Sequence, residues 1–269
     1  MVRPKKSLGQ HFLCDDLIAR KIVSSVSPRK DEVLLEIGPG EGALTRHLAR
    51  SGARLIVVDI DRRITKSLRE TYPPDAVDVI AGDILETDIA AVARRAVASP
   101  EGRLRVVGNI PYNITSPILF HLLEHRTHVS DATLTMQKEV ARRVVARPGS
   151  KEYGILSVFC QLYAECEFLF EVPASAFTPV PKVRSAVIQM LLHTKPRYAL
   201  PDEDFFRTMV RAVFGKRRKT LRNSLRYLVG DGVTELEGDI DLGRRPEELS
   251  LGELASLSSL LSDKLARSS

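Results

Sequence analysis

A turn near the middle of the chain combines three groups that together can hold a flat ring system. Asn109 supplies a side-chain amide, Pro111 removes a backbone donor and fixes the chain direction, and Tyr112 supplies an aromatic face. The turn follows an apolar run at residues 104–107 and the glycine Gly108, so these groups lie where a strand ends. Such groups can grip a planar base by its amino group. The alternative is an ordinary strand-to-loop turn, since Asn and Pro favour turns.

A second loop, residues 36–42 (EIGPGEG), has glycines at alternate positions, which allows a ligand to approach the backbone closely. A dinucleotide fingerprint requires its third glycine at position 43, where this chain has Ala43, so the spacing disfavours NAD. The loop instead resembles the first motif of class I S-adenosylmethionine-dependent methyltransferases, in which an acidic residue precedes a glycine-rich turn. That turn can pack against an amino acid and a ribose, with no pyrophosphate to hold.

Two aspartates stand at the ends of the next two apolar runs. Asp59 closes residues 54–59, about where a carboxylate meets two ribose hydroxyls, and Asp83 follows residues 77–81, where it can accept a hydrogen bond from an adenine amino group. The alternative is that both residues only cap the helices that follow, since Asp is a favoured N-cap. Suitable chemistry at three consecutive strand ends favours a ligand site.

These groups meet only if the strand ends share one edge of a sheet. Alternating apolar and amphipathic segments over residues 32–192 indicate an α/β domain with a Rossmann-like, mostly parallel sheet. Strands are predicted at residues 33–37, 54–59, 77–81, 104–107 and 131–136, and helices at residues 43–51, 62–72 and 116–124. Two late strands, residues 165–172 and 185–192, are predicted to form an antiparallel hairpin at the sheet edge, joined through a rigid loop at residues 177–182.

The composition changes near residues 194–201, where two prolines mark a linker. Beyond the linker, apolar residues recur at helical spacing, which predicts a small all-helical C-terminal domain. We therefore expect a catalytic domain at residues 1–194, where the resemblance of the glycine loop implies S-adenosylmethionine binding, and a separate helical domain at residues 195–269.

The composition limits the environment and the partners of the protein. A formal net charge of +6 over 269 residues and a pI near 9.3 favour a polyanionic partner. The cysteines Cys14, Cys160 and Cys166 lack the spacing of a disulfide framework or a metal site, which predicts a reducing, cytoplasmic environment. No apolar stretch approaches the length of a membrane span, and the histidines form no metal-binding set, so we expect neither a membrane segment nor a metal.

With these motifs in place, the chain resembles the ribosomal RNA adenine N6-dimethyltransferase family over nearly its whole length. Besides the glycine loop and the two aspartates, the resemblance is carried by residues 6–13 (KSLGQHFL), 109–117 (NIPYNITSP), 136–143 (MQKEVARR), 177–185 (FTPVPKVRS) and 214–223 (FGKRRKTLRN). It implies transfer of two methyl groups from S-adenosyl-L-methionine to each of two adjacent adenosines near the 3′ end of small-subunit ribosomal RNA. The implied partner is that RNA within a pre-ribosomal subunit, and we expect a monomeric protein.

The resemblance also assigns the cofactor site. It implies that His11 and Leu13 contact the methionine part of S-adenosyl-L-methionine. The full set of cofactor-binding residues that it implies is His11, Leu13, Gly38, Asp59, Asp83 and Asn109. The assignment agrees with the strand-end interpretation.

The exocyclic amine of adenine is a poor nucleophile, because its lone pair is delocalised into the ring. We hypothesise that the Asn109 side-chain oxygen and the Ile110 carbonyl accept hydrogen bonds from this amine and localise the lone pair, with Pro111 holding the turn. Tyr112 and Phe177 are expected to sandwich the adenine, which must first leave its stack. For Phe177 the alternative is a loop aromatic that anchors in the core.

A basic segment at residues 214–227 contains no acidic residue. Arg218, Arg222 and Arg226 recur at i, i+4 spacing, while leucines fall on another face of the predicted helix. The predicted RNA-binding residues are Lys216, Arg217, Arg218, Lys219 and Arg222. The alternative is a solvated face, although repulsion among unpaired like charges disfavours it.

Two other functions fit the same motifs. One is a large-subunit ribosomal RNA dimethylase that confers antibiotic resistance, which the dense basic helix disfavours. The other is an assembly or transcription factor that uses the same fold without catalysis. The intact turn at residues 109–112 favours an enzyme.

Overall fold

The computed structural model describes residues 2–5, 8–97, 99, 102–215, 219–229 and 240–268. The chain forms two compact units, one of Met1–Ala141 with Ala164–Thr194 and one of Arg142–Tyr163 with Lys195–Ser269. Within the described residues, no helix combines the length and the apolar character that crossing a membrane requires.

The first unit is built on a seven-stranded sheet and a two-stranded sheet. Their strands are β1 (Phe12–Leu13), β2 (Val33–Ile37), β3 (Arg54–Asp59), β4 (Val77–Ala81), β5 (Leu104–Asn109), β6 (Val129–Gln137), β7 (Ala164–Val172), β8 (Phe177–Thr178) and β9 (Ser185–Leu192). The large sheet has the order β4-β3-β2-β5-β6-β9-β7. The first five strands in that order are parallel, and β9 pairs antiparallel with both β6 and β7.

Helices precede, connect and follow the parallel strands. They are α1 (Asp16–Val26), α2 (Thr45–Leu48), α3 (Arg62–Thr71), α4 (Ile89–Ala96), α5 (Thr115–Glu124) and α6 (Lys138–Val144), the last of which ends in the second unit. Each of α1, α3 and α4 begins at an aspartate whose carboxylate accepts backbone N–H hydrogen bonds, namely Asp15, Asp61 and Asp88. All five residues of β2 are buried, as expected for a parallel strand covered on both faces.

The mixed sheet with an antiparallel edge agrees with the prediction, but two local elements differ from it. The helix predicted at residues 43–51 is the single turn α2, because Gly42 and Gly52 on either side of it take positive φ angles of 81° and 84°. The loop predicted at residues 177–182 begins with the short strand β8, which pairs antiparallel with β1. This pairing ties the N-terminal segment to the rest of the first unit.

The second unit is helical. Its helices are α7 (Ile155–Tyr163), α8 (Glu203–Phe214), α9 (Leu221–Val229) and α10 (Leu251–Ser268). The predicted boundary after residue 194 left α7 in the catalytic domain, whereas the structure groups residues 142–163 with the C-terminal helices. The reason is packing: Phe159 meets Phe206 edge to face at 6.3 Å, and the Tyr163 hydroxyl donates to Glu203 at 2.7 Å.

An arginine at the amino end of β5 joins three parts of the first unit. The Arg105 guanidinium donates to the Asp131 carboxylate at 2.8 and 3.1 Å, to Glu32 at 2.8 Å and to the Val26 carbonyl at 2.7 Å. Its side chain is only 16% exposed, so these contacts lie largely out of water. The network therefore fixes the end of α1 and the starts of β2, β5 and β6 relative to one another.

We predict that Arg105→Met lowers the free energy of unfolding by about 3 to 5 kcal/mol, because it leaves the buried Asp131 carboxylate without its cation and leaves Glu32 paired with Arg29 alone. Urea denaturation followed by circular dichroism measures the change. Lys66→Met is the control, since Lys66 and Glu70 form an exposed pair at 3.8 Å whose loss costs about 0 to 1 kcal/mol. Equal losses in the two variants would contradict the assigned role of Arg105.

Candidate active site

A cleft lies at the carboxyl ends of β2, β3, β4 and β5. It is lined by the loop after each of these strands and by the N-terminal residues 8–13. The strand order places β2 between β3 and β5, so the chain leaves β2 at the point where the order of the sheet reverses. Open α/β sheets bind ligands at this point.

Gly108 allows β5 to approach β2 at the floor of the cleft. A Cβ atom at position 108 would lie 2.5 Å from the carbonyl oxygen of Ile37, which is backbone and has no freedom to move aside. Any side chain here would push β5 away from β2. The glycine before the 109–112 turn is therefore a requirement of strand spacing, which sets where Asn109 lies.

The glycine loop after β2 adopts backbone conformations that other residues avoid. Gly38, Gly40 and Gly42 have φ angles of 65°, 54° and 81°. A Cβ atom on Gly40 would lie 2.9 Å from the Phe12 ring, so the loop and the N-terminal segment pack directly on each other. The loop lines the cleft with main chain, which suits close approach of a ligand.

The acidic residue before the glycine loop is almost completely buried. Glu36 is 1% exposed and accepts a hydrogen bond from the Thr45 hydroxyl at 2.7 Å. Burial raises the pKa of the Glu36 carboxyl to about 8; the Thr45 hydrogen bond opposes the shift, and the Asp59 carboxylate adds to it. The Glu36 carboxyl lines the cleft, and its protonation state changes near neutral pH.

Asp59 ends β3 at the wall of the cleft and is 8% exposed. Its carboxylate accepts from the Asp61 backbone N–H at 2.8 Å. Burial raises the pKa of Asp59 to about 6, although the backbone amides of Asp61 and Gly40 favour the ionised form. The N-cap of α3 is Asp61, not Asp59, so the helix-capping alternative does not account for Asp59. A carboxylate has about four acceptor sites, which leaves capacity for ligand hydroxyls.

Asp83 lines the same cleft after β4. One of its oxygens accepts from the Leu85 backbone N–H at 2.9 Å, which stabilises the local turn. The cap of the following helix α4 is Asp88. Beside these acids lies Ile60, an aliphatic side chain that is 52% exposed and lines the cleft, which sequence analysis did not single out. The signal in the sequence that could have identified Ile60 is its position directly after Asp59, the aspartate at the end of β3.

The Asn109 amide is oriented by the N-terminal segment. Its nitrogen donates to the backbone carbonyl of His11 at 2.9 Å, which identifies the nitrogen end of the amide. The side-chain oxygen is therefore the atom left to accept a hydrogen bond from a ligand. In the same turn the Ile110 backbone N–H donates to the Thr135 carbonyl at 3.1 Å, and the Pro111 carbonyl accepts from the Thr115 hydroxyl at 3.1 Å.

Tyr112 is held at both its edge and its face. Its hydroxyl shares a hydrogen bond with the Ser185 hydroxyl at 2.5 Å, and its ring stacks on the His11 imidazole with centroids 5.4 Å apart and planes inclined by 22°. Burial raises the pKa of the Tyr112 phenol, and the Ser185 hydrogen bond opposes that shift. Tyr112 and His11 both line the cleft.

Phe177 is not placed as the predicted sandwich requires. Its side chain is 1% exposed, belongs to the hydrophobic core and is absent from the residues that line the cleft. The reason is that Phe177 lies in β8, opposite Leu13 of β1, so its ring packs inward with the paired strands. Leu13 itself lines the cleft and is 5% exposed.

The predicted RNA-binding residues fall partly outside the described residues, because Lys216, Arg217 and Arg218 are not among them. Lys219 is exposed, and Arg222 lies half-buried in α9. Leu221 and Leu225 of that helix are buried, as the predicted amphipathic pattern requires. Within the described parts of the chain, no three His, Cys, Asp or Glu side chains form a group that could hold a metal ion.

Comparison with known proteins agrees with the geometry. The family model for ribosomal RNA adenine dimethylase matches residues 1–263. Ribosomal RNA small subunit methyltransferase A of Chlorobium chlorochromatii (strain CaD3) is 46% identical over 264 residues, which are 98% of this chain and 95% of that protein. The protein of the same name from Geobacter metallireducens is 43% identical over 266 residues, or 96% of this chain and 95% of that protein.

Two solved structures are similar over most of their length. A dimethyladenosine transferase from Plasmodium falciparum has a TM-score of 0.75 and 26% identity, covering 94% of this chain and 97% of that one. The 23S rRNA methyltransferase ErmE has a TM-score of 0.65 and 31% identity, covering 92% and 99%.

The mixed sheet and its strand-end cleft define a class I methyltransferase fold, which confirms the predicted fold class. Within that class, the chain belongs to the ribosomal RNA adenine dimethylase family. The family and the enzyme class predicted from the motifs are therefore confirmed, and ribosomal RNA is the substrate class.

The raised pKa of Glu36 predicts a pH-dependent stability. Because the folded chain holds this proton at pH values where the unfolded chain has released it, stability falls as pH rises from about 5 to 8. Glu36→Gln keeps an acceptor for Thr45 without a charge, so without ligands it should raise the free energy of unfolding at pH 8 by at least about 1 kcal/mol and have little effect at pH 5.

Urea denaturation at the two pH values measures this difference. Glu86→Gln is the control, since Glu86 is an exposed carboxyl elsewhere in the same unit. Parallel pH profiles for the wild type and Glu36→Gln would show that Glu36 does not carry the shift.

Proposed function

We propose that this protein transfers two methyl groups from S-adenosyl-L-methionine to the N6 amine of each of two adjacent adenosines near the 3′ end of small-subunit ribosomal RNA. The observation that carries the proposal is the orientation of Asn109, whose amide nitrogen is bound to the His11 carbonyl and whose oxygen is left for a ligand in the cleft. The names and 43 to 46% identity of the small-subunit relatives support the choice of RNA.

The chain offers groups that fit each part of S-adenosyl-L-methionine. The Asp59 carboxylate would accept from the two ribose hydroxyls, Asp83 from the adenine amino group, and Ile60 would pack on the adenine ring. Main chain around Gly38 and the segment from His11 to Leu13 would surround the methionine part. When bound, the cofactor supplies an electrophilic methyl group.

The protein makes the adenine amine reactive by position rather than by a strong base. The Asn109 oxygen and the Ile110 carbonyl would each accept an N6–H hydrogen bond, which favours a pyramidal nitrogen with a localised lone pair. The proton is lost to water after methylation, so the rate comes mainly from orientation and fixed dipoles. A second transfer needs one N6 hydrogen to remain and room for the first methyl group.

Tyr112 would stack on the adenine after it has left the RNA stack. Because Phe177 is buried in the core, stacking in this conformation rests on Tyr112 alone; a contact of Phe177 with the base requires β8 to rearrange. Two adjacent target adenosines suit an enzyme that takes up one base at a time after the base has left its stack.

The helical unit would hold the RNA through Lys219 and Arg222 together with Lys216, Arg217 and Arg218. We also propose that the substrate is a pre-ribosomal subunit in the cytoplasm and that the protein acts as a monomer without a metal. An intact Asn109 turn favours an enzyme over a factor that only binds.

Incubation with radiolabelled S-adenosylmethionine and unmethylated small or large ribosomal subunits tests the proposal. Dimethyladenosine in adjacent positions near the 3′ end of the small-subunit RNA is expected. Label confined to the large subunit would show that the proposed RNA substrate is wrong, although the proposed methyl transfer would still hold. Absence of label in both, with cofactor binding intact, would favour a binding role.

We predict that Asn109→Ala lowers kcat by about 100-fold or more, because a fixed dipole at the reacting amine is lost. Cofactor affinity, measured by calorimetry, should change much less. An Asn109→Ala enzyme with wild-type turnover would remove Asn109 from the mechanism.

The positive charges of α9 are predicted to contribute to RNA binding. Arg222→Gln combined with Arg226→Gln should weaken RNA binding and reduce the slope of log affinity against log salt by about 1 to 2, since each phosphate contact releases counterions. Filter binding over a salt series measures the slope. Lys66→Gln with Arg94→Gln removes the same charge from helices of the first unit, and it should leave the slope unchanged. An equal change of this slope in both double variants would show that the net charge of the protein, and not the position of the arginines on α9, sets the salt dependence.

A further inference from the structure

His11 makes three contacts, two of them with groups proposed to meet the target adenine. Its backbone carbonyl accepts from the Asn109 amide at 2.9 Å. Its ring stacks on Tyr112 at 5.4 Å. Its Nδ1 lies 2.7 Å from the Pro179 carbonyl, which can only accept, so Nδ1 carries the hydrogen and donates it. A single residue of the N-terminal segment thus touches both functional side chains of the 109–112 turn and the loop after β8.

The stacked pair is fixed at both ring edges. Tyr112 is held through its hydroxyl by Ser185, and His11 through Nδ1 by the Pro179 carbonyl. An adenine inserted between two rings needs their centroids about 9 Å apart, twice the stacking separation at the short end of the usual range. Rings 5.4 Å apart leave no room for that insertion. His11 therefore covers one face of Tyr112, and a base must use the other.

The neighbouring backbone adds to this rigidity. Gly9 has a φ of 62°, and a Cβ atom there would lie 2.7 Å from the Asn113 side-chain oxygen, so the chain before His11 lies close against the turn. After His11, Phe12 pairs with Thr178. The imidazole is held between two anchored stretches of chain, which limits its freedom to follow a ligand.

We infer that the His11 side chain is a positioning residue for methyl transfer: it supports the Tyr112 ring from behind and joins it to the Pro179 carbonyl, while the His11 main chain orients Asn109. The inference rests on the proposed function of this site. It differs from a cofactor contact in a measurable way. A side chain that acts through Tyr112 changes kcat and leaves the affinity for S-adenosylmethionine unchanged.

Three substitutions separate the parts of this role. His11→Ala removes ring and donor, His11→Phe keeps a ring, and His11→Asn keeps a short donor without a ring. In all three the main-chain carbonyl to Asn109 remains. We expect His11→Ala to lower kcat about threefold to tenfold, the range of an aromatic pair, and His11→Phe to restore most of it. The dissociation constant for S-adenosylmethionine should stay within about twofold in every variant.

The assay uses unmethylated small subunits and radiolabelled S-adenosylmethionine, with calorimetry for cofactor affinity. His193→Ala controls for the loss of a histidine outside the cleft. A weakened cofactor affinity with unchanged kcat would overturn the inference in favour of a direct cofactor contact. Wild-type values of both constants in His11→Ala would also overturn it, as would a failure of His11→Phe to restore kcat above that of His11→Asn.

A double-mutant cycle tests whether the effect passes through Tyr112. If it does, His11→Ala should change kcat less than twofold in a Tyr112→Leu background, whereas additive effects would overturn the inference. Thermal denaturation of the wild type, the two single variants and the double variant measures the contact between the rings without RNA. Additive shifts in Tm among these four proteins would overturn the inference independently. A wild-type protein that labels no ribosomal RNA would instead overturn the proposed function, so the two failures are distinguishable.

Discussion

The hydrogen-bonded ladder that holds β2 between β3 and β5 is the constraint on which the rest of this structure depends. It aligns Ile37 with Val58 on one side and with Gly108 on the other. Because parallel strands end at the same edge, the loops that follow them reach one place although they are far apart in sequence. The cleft follows from this register, and Gly108 is the residue that permits it, since a side chain there would strike the Ile37 carbonyl.

The N-terminal segment completes the cleft in a way that the sheet alone does not. Phe12 covers Gly40, the β1–β8 pairing holds the segment in place, and the His11 carbonyl orients Asn109. Functional geometry at the end of β5 thus depends on residues nearly a hundred positions earlier. Short strands supply few hydrogen bonds, so apolar burial of Phe12 and Leu13 provides most of the attachment.

The buried acids of the cleft lower the stability of the fold, and the same acids provide hydrogen-bond acceptors for a ligand. Glu36 and Asp59 are both buried acids whose pKa values are raised mainly by burial, and the Asp59 carboxylate adds to the rise in the pKa of Glu36. At the opposite edge of the sheet Arg105 compensates two acids, Glu32 and Asp131, with short hydrogen bonds. The fold therefore pairs the acids at the amino ends of the strands with an arginine, which makes that region rigid. The acids at the carboxyl ends keep free hydrogen-bonding capacity, where a ligand with hydroxyl and amino groups would bind.

The sequence by itself determined the family, the strand-helix alternation and the polar strand-end residues of the cleft, because apolar periodicity and short motifs are local properties. Asp59, Asp83 and Asn109 were identified from their positions after apolar runs, and the structure brings all three to one cleft. Only the tertiary structure decided where Phe177 points, since strand pairing with Leu13 turns its ring into the core. It also decided that residues 142–163 pack with the C-terminal helices and that the His11 ring lies on Tyr112. Such contacts depend on distances between segments remote in sequence, and packing sets those distances while local residue patterns do not encode them.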